Sequence, residues 1–132
     1  MASTEYVVDT HSLYWYLLDD NRIGKEAKQV FDKAASGQVK LFIPSIVLAE
    51  LYWILEKQAK SDVFPQLFDA IETAEQFEFI DFKAIDVLDF GGLAEIGEMH
   101  DRMIVAVAKK LNAPCLTKDK MITESGLIET VW

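Results

Sequence analysis

The chain has 132 residues, 51% apolar and 11% aromatic, which suits the core of a single domain spanning 1–132 and leaves no room for a second. Charged residues at 27% are ordinary for a globular protein and exclude intrinsic disorder as the main state. The formal net charge of −9 argues against a nonspecific duplex-binding protein, which would present a basic face.

In chain order, Tyr6-Val7-Val8 is a short apolar run suited to a buried strand, and it ends at Asp9. Leu13, Tyr14, Leu17 and Leu18 follow at helical spacing. Gly24 to Ala35 reads as a second helix with Ala27, Val30, Phe31 and Ala34 on one face. Val39 to Ile43 is a strand stopped by Pro44, and Ser45 is placed to cap a helix running to about Ala59. A helix is expected from Val63 to Glu75, a strand from Phe77 to Ile80, and helix again from Ala84 to Phe90 until Gly91-Gly92 breaks it. Asp101 opens an apolar helix with Met103, Ile104, Val107, Ala108 and Leu111 inward, ended by Asn112 and Pro114. Cys115-Leu116-Thr117 is a strand, Lys120 to Glu124 a helical turn, and Ile128 to Val131 the last strand. Strands alternating with helices predict an α/β fold with a central parallel sheet covered on both faces. Such sheets place their sites beyond the carboxyl ends of the strands, where the chain reverses.

No apolar run approaches the roughly 18–20 residues of a membrane span. The polar start Met1-Ala2-Ser3-Thr4-Glu5 lacks the positive segment of a secretory signal, so a cytoplasmic location is expected. With Cys115 alone, neither an internal disulfide nor a cysteine-based zinc site can form. Residues 69 to 101 hold ten acids against Lys83 alone, which is the whole charge excess. That run reads as a solvated acidic face, or as charge partly neutralised by metal.

Asp9, Asp101 and Asp119 sit where the sheet rule expects chemistry, although Asp at a loop-to-helix junction is also a preferred helix cap. Glu50 is the one non-apolar residue among the ten from Ile46 to Leu55, and a helix apolar nearly all round is buried. A desolvated carboxylate must be protonated, paired or metal-linked, and the chain has only Arg22 and Arg102 as arginine partners. Carboxylates converging on one cleft need a cation, and oxygen-only ligands select Mg²⁺ or Mn²⁺ over zinc. Such ions activate water and stabilise the oxyanions of an in-line phosphoryl displacement. The residues alone thus lead to a metal-dependent phosphodiesterase.

Val7-Val8-Asp9-Thr10-His11, Pro44-Ser45-Ile46 leading to Glu50-Leu51, His100-Asp101-Arg102-Met103-Ile104-Val105-Ala106 and Leu116-Thr117-Lys118-Asp119 resemble the four signature segments of PIN-domain ribonucleases. Among these the chain most resembles the VapC-like toxins of bacterial toxin–antitoxin pairs. The resemblance runs over nearly the whole chain in the right order. It implies a three-layer α/β/α sandwich, with Asp9, Glu50, Asp101 and Asp119 holding Mg²⁺ or Mn²⁺ directly or through water. It further implies endonucleolytic RNA cleavage, a homodimer, and a cognate antitoxin that blocks the cleft.

Thr10 and Thr117 are placed to orient a carboxylate or a water, as outer-shell hydroxyls do around metals. Arg102, Lys118 and Lys120 flank the acids as candidates for RNA phosphate contacts. His11 and His100 would allow a metal-free acid–base ribonuclease, but that leaves Glu50 without a role. Tyr14, Trp15, Tyr16, Tyr52 and Trp53 are core or interface aromatics, or platforms for bases. Two other classes compete: a receiver-like phosphoacceptor, which needs an acidic pair where Asp9 is followed by Thr10-His11, and a catalytically silent PIN-like interaction module.

Overall fold

A computed structural model describes residues 3–132; Met1 and Ala2 of the polar start lie outside the described residues. Five strands form one sheet: β1 (Glu5–Val8), β2 (Lys40–Pro44), β3 (Phe77–Ile80), β4 (Cys115–Leu116) and β5 (Thr130–Val131). Their order is β3-β2-β1-β4-β5 and every pairing is parallel. A parallel sheet is covered on both faces, which is why Tyr6, Val7 and Val8 are all buried rather than alternating.

Among the described residues six α-helices flank the sheet or pack on the helices that do: α1 (Thr10–Leu17), α2 (Lys25–Ala35), α3 (Ser45–Lys57), α4 (Phe64–Thr73), α5 (Met99–Leu111) and α6 (Lys120–Ser125). The architecture is the expected α/β/α sandwich. Crossovers from β1 through β2 to β3 run to one edge, and the step from β4 to β5 runs to the other. The chain therefore reverses direction between the adjacent strands β1 and β4, whose carboxyl ends open the crevice that such sheets use for ligands. Among the described residues no helix is long and apolar enough to cross a membrane.

Several local expectations are corrected. Pro44, not Ser45, is the cap residue of α3, and the helix stops at Lys57 because Ala59 adopts a left-handed φ of 56°. The helix expected from Val63 is a 3₁₀ turn, Ser61–Val63, followed by α4 with Pro65 in its first turn, where a missing N–H costs nothing. Gly91-Gly92 do not end the segment after β3, which is a 3₁₀ stretch over Ala84–Leu93. Helix α5 starts at Met99 with Glu98 as its cap, so Asp101 lies inside it.

The larger core cluster packs the sheet against α1, α2, α3, α4 through Ile71, and one side of α5 through Ile104, Val107 and Ala108. A second cluster of Leu93, Ile96, Val105, Ala106 and Ile122 covers the flank of α5 with the 3₁₀ stretch and α6. Burial is thus continuous from Ile104 to Ala108, whereas Met103 and Leu111 are only half-buried. Of the ten acids between 69 and 101, most are exposed; Asp86 is buried, accepting the Lys83 N–H at 2.9 Å and facing Lys110 Nζ at 3.3 Å. The acidic run is therefore chiefly a solvated surface.

Candidate active site

The register Val8↔Leu116 brings the residues after β1 and β4 side by side, and the Asp9 N–H donates to Leu116 O at 3.3 Å. Above this junction lies an open cleft of roughly 1030 Å³, and Asp9, Glu50, Asp101 and Asp119 all line it. Four carboxylates separated by up to 110 positions in sequence thus share one space, because the end of β1, the middle of α3, the first turn of α5 and the start of α6 all border it.

Two of the aspartates are caps as well as cleft residues. Asp9 Oδ1 accepts the Ser12 N–H at 2.9 Å at the start of α1, and Asp119 Oδ1 accepts the Ile122 N–H at 2.9 Å at the start of α6. Burial pushes the Asp9 carboxyl above its ordinary range, against the opposing pull of the Thr117 and Ser12 hydrogen bonds. Asp101 caps nothing. Its own N–H is capped by Glu98 Oε2 at 2.8 Å, which leaves its side chain to the cleft. Burial, together with the charges of Asp119, Glu98, Glu50 and Asp9, pushes its pKa up to about 7. The charges of the other three cleft acids, with that of Glu98, thus bear on Asp101.

Glu50 is partly desolvated, as its apolar neighbours imply, with 29% of its side chain exposed. The helix itself is not buried all round as expected: Tyr52 and Trp53 are 40% and 58% exposed, and Trp53 lines the cleft. Both Glu50 oxygens have partners. The buried Thr10 hydroxyl donates to Oε1 at 2.6 Å, and His100 Nδ1 lies 3.4 Å from Oε2. Thr117, also buried, accepts the Asp119 N–H at 3.0 Å, so both threonines orient cleft acids. His11 and His100 border the cleft, and His100 additionally lies 3.5 Å from Glu98 Oε1.

The basic residues are redistributed relative to the sequence reading. Arg102 is turned away from the cleft and donates to the carbonyls of Ile96 and Ala94, tying α5 to the loop before it. Lys120 lies outside the cleft lining and faces Glu124 one helical turn on, at 3.9 Å. Only Lys118 of the three lines the cleft, where it is joined by Arg22 and Lys57, which the sequence reading did not single out. Lys57 was findable: with Glu50, Trp53 and Ile54 it completes an i, i+3, i+4, i+7 face of α3. Arg22 arrives on the loop between α1 and α2, and no local pattern announces it.

The donor set suits a hard divalent cation, since every acid offers carboxylate oxygen and the cleft holds more acids than free bases. Among the described residues, no three His, Cys, Asp or Glu side chains stand together as a formed metal site. Of the aromatics, Tyr14 and Trp15 are core residues and Tyr16 stacks on Phe31 at 4.1 Å, so Trp53 alone is free to face a ligand in the cleft.

A family model described as the PIN domain matches residues 6–125. No curated protein matches the chain. Among solved structures, VapBC2 from Rickettsia felis bound to a promoter DNA fragment is similar with a TM-score of 0.71 and 22% identity, covering 96% of this chain and 97% of that one. DNA-bound VapBC from Salmonella typhimurium gives 0.71 and 18%, with 98% of both chains covered. VapC20 from Mycobacterium tuberculosis, a sarcin–ricin-loop-cleaving toxin, gives 0.67 and 20%, with 94% and 97% covered. At these identities the likeness is one of fold.

Proposed function

The chain belongs to the PIN domain family, and from that premise we propose that it is a metal-dependent endoribonuclease, the toxin of a cytoplasmic toxin–antitoxin pair. The observation that carries this reading is the convergence of Asp9, Glu50, Asp101 and Asp119 on one cleft, where burial first, and then the charges of Asp119, Glu98, Glu50 and Asp9, raise Asp101 to about 7.

Asp9, Asp101 and Asp119 would hold Mg²⁺ or Mn²⁺, with Glu50 reaching it directly or through water. The bound ion would supply an activated water and stabilise charge developing on the phosphate. The chain's own contribution is positional. Capping bonds fix the Asp9 and Asp119 carboxylates at Oδ1, and Thr10 and His100 hold Glu50 from both sides. Lys118 sits at the cleft edge, ready to meet an RNA phosphate.

The similar structures that are VapBC complexes support an antitoxin as partner. An acid-lined cleft accepts a basic side chain, best an arginine whose fork matches carboxylates. Exposed apolar side chains such as Ile85 (68%) and Leu88 (80%) support an interface with that partner or in a homodimer.

The test is cleavage of end-labelled single-stranded RNA, structured RNA and DNA of matching sequence in Mn²⁺. Internal cuts in RNA, with DNA left intact, are expected. Cleavage of DNA alone, or of no substrate, would contradict the proposal.

A further inference from the structure

We propose that Arg22 and Lys118, both held against the Trp15 ring, form a phosphate-binding subsite for the RNA strand beside the carboxylates; this rests on the nuclease reading above. The Arg22 guanidinium carbon lies 5.1 Å from the Trp15 ring centroid and Lys118 Nζ lies 4.9 Å from it. Both residues line the cleft. The Asp20 carboxylate fixes the arginine, accepting from Nε at 3.1 Å, from Nη2 at 2.8 Å and from the Arg22 backbone N–H at 2.8 Å. That leaves Nη1 uncommitted, while Lys118 has no ion-pair partner among the described residues.

Trp15 is only 6% exposed, so it cannot stack a base and serves instead as a support for the two cations. The support is itself braced. The Trp132 ring meets Trp15 edge-on at 5.7 Å, and Trp132 fits against Gly24 so closely that a Cβ there would lie 2.5 Å from its carbonyl carbon. Two donors on one rigid ring, next to a wall of acids, select a particular anion. A free monoanion is repelled by the acids. A phosphodiester in a strand whose neighbouring phosphate sits at the cation-loaded carboxylates is not, and its oxygens can accept from both the uncommitted Arg22 Nη1 and the Lys118 ammonium.

The test uses a fluorescein-labelled oligouridylate of about 12 nucleotides, long enough to span a single-strand site. Binding is followed by anisotropy in Ca²⁺ over a salt series. Arg22→Gln and Lys118→Gln should each weaken binding about five- to tenfold, and each should lower the slope of log Kd against log salt by about 0.7, one counterion's worth on a single strand. Arg22→Lys and Lys118→Arg should restore the slope, and Lys120→Gln should change nothing. Slopes unchanged in both glutamine variants would overturn the subsite, as would an affinity loss that the charge-retaining variants fail to rescue. Cleavage in Mn²⁺ by the same preparations separates the two claims. Parent protein that cuts RNA while both variants keep the parental slope refutes the subsite alone; parent protein that neither binds nor cuts refutes both.

Discussion

Asp101→Asn is expected to abolish RNA cleavage and, in metal-free buffer, to make the protein more stable than the parent. The two effects have one cause. Asp101 is the acid on which burial and the charges of Asp119, Glu98, Glu50 and Asp9 converge, raising its pKa to about 7. Unlike Asp9 and Asp119 it makes no capping bond, so the amide removes charge and leaves the helix start to Glu98. A shift to about 7 from 3.8 would be a large penalty for a fully buried group. Asp101 is half-buried, and solvent screening reduces the gain to about 1–2 kcal/mol. That corresponds to a rise in Tm of roughly 3–8 °C for a domain of this size. Loss of a ligand to a catalytic cation should cost at least about 100-fold in rate, the scale set by removing a principal electrostatic stabiliser. Melting in EDTA and a cleavage assay in Mn²⁺ check both. A variant that is less stable in EDTA and still cuts would show Asp101 to be structural.

The second expectation is an inverted pH profile of stability. Asp101 titrates at about 7 folded against 3.8 in its ordinary state, so between these values the native state binds the extra proton. Stability then falls as pH rises through that window and levels off above it, because ∂ΔG/∂pH follows the protons bound by the unfolded chain minus those bound by the native one. Asp9, also raised by burial, contributes with the same sign. Asp20 is lowered to about 2 by its Arg22 contacts and acts in the opposite sense. Its stabilising contribution is present above the ordinary aspartate range and is lost only as pH falls toward 2, outside this window. Urea unfolding in EDTA should show a decline of about 1–2 kcal/mol from pH about 4.5 to about 7.5. Saturating Mg²⁺ should flatten or reverse it, since the cation binds the ionised carboxylates of the native state alone. A stability that rises across this range in EDTA would mean that the acids do not share one electrostatic site.

What the sequence disclosed follows from how local each signal is. The run Tyr6-Val7-Val8-Asp9 defines a buried strand and its carboxyl end without reference to any other segment, and the junction after it carries the cleft. The register between β1 and β4 then does what alternating strands and helices imply, setting Asp9 beside the Thr117-Lys118-Asp119 loop. The errors lie where one residue's neighbours in sequence differ from its neighbours in space. Arg102 follows Asp101 directly, but successive residues of a helix point about 100° apart, so its guanidinium reaches the Ile96 carbonyl instead of the cleft. Helix α3 is apolar nearly all round yet not buried all round, since Tyr52 and Trp53 are left exposed, while Glu50 is partly desolvated as its apolar neighbours imply. The 3₁₀ stretch Ala84–Leu93 was misread because its conformation answers to the flank of α5 that it covers, through Val105 and Ala106. Arg22 is brought to the cleft by a loop and anchored by Asp20 and Trp15, a tertiary arrangement with no periodic trace.

The central claim is that the carboxylates act through a bound cation, and RNA cleavage across EDTA, Mg²⁺ and Mn²⁺ tests it most directly. One preparation, stripped with EDTA and divided, should be silent without metal, recover on adding Mg²⁺ or Mn²⁺, and fall silent again on chelation. Cleavage that continues undiminished in EDTA would contradict the claim and return the chemistry to His11 and His100, which border the same cleft.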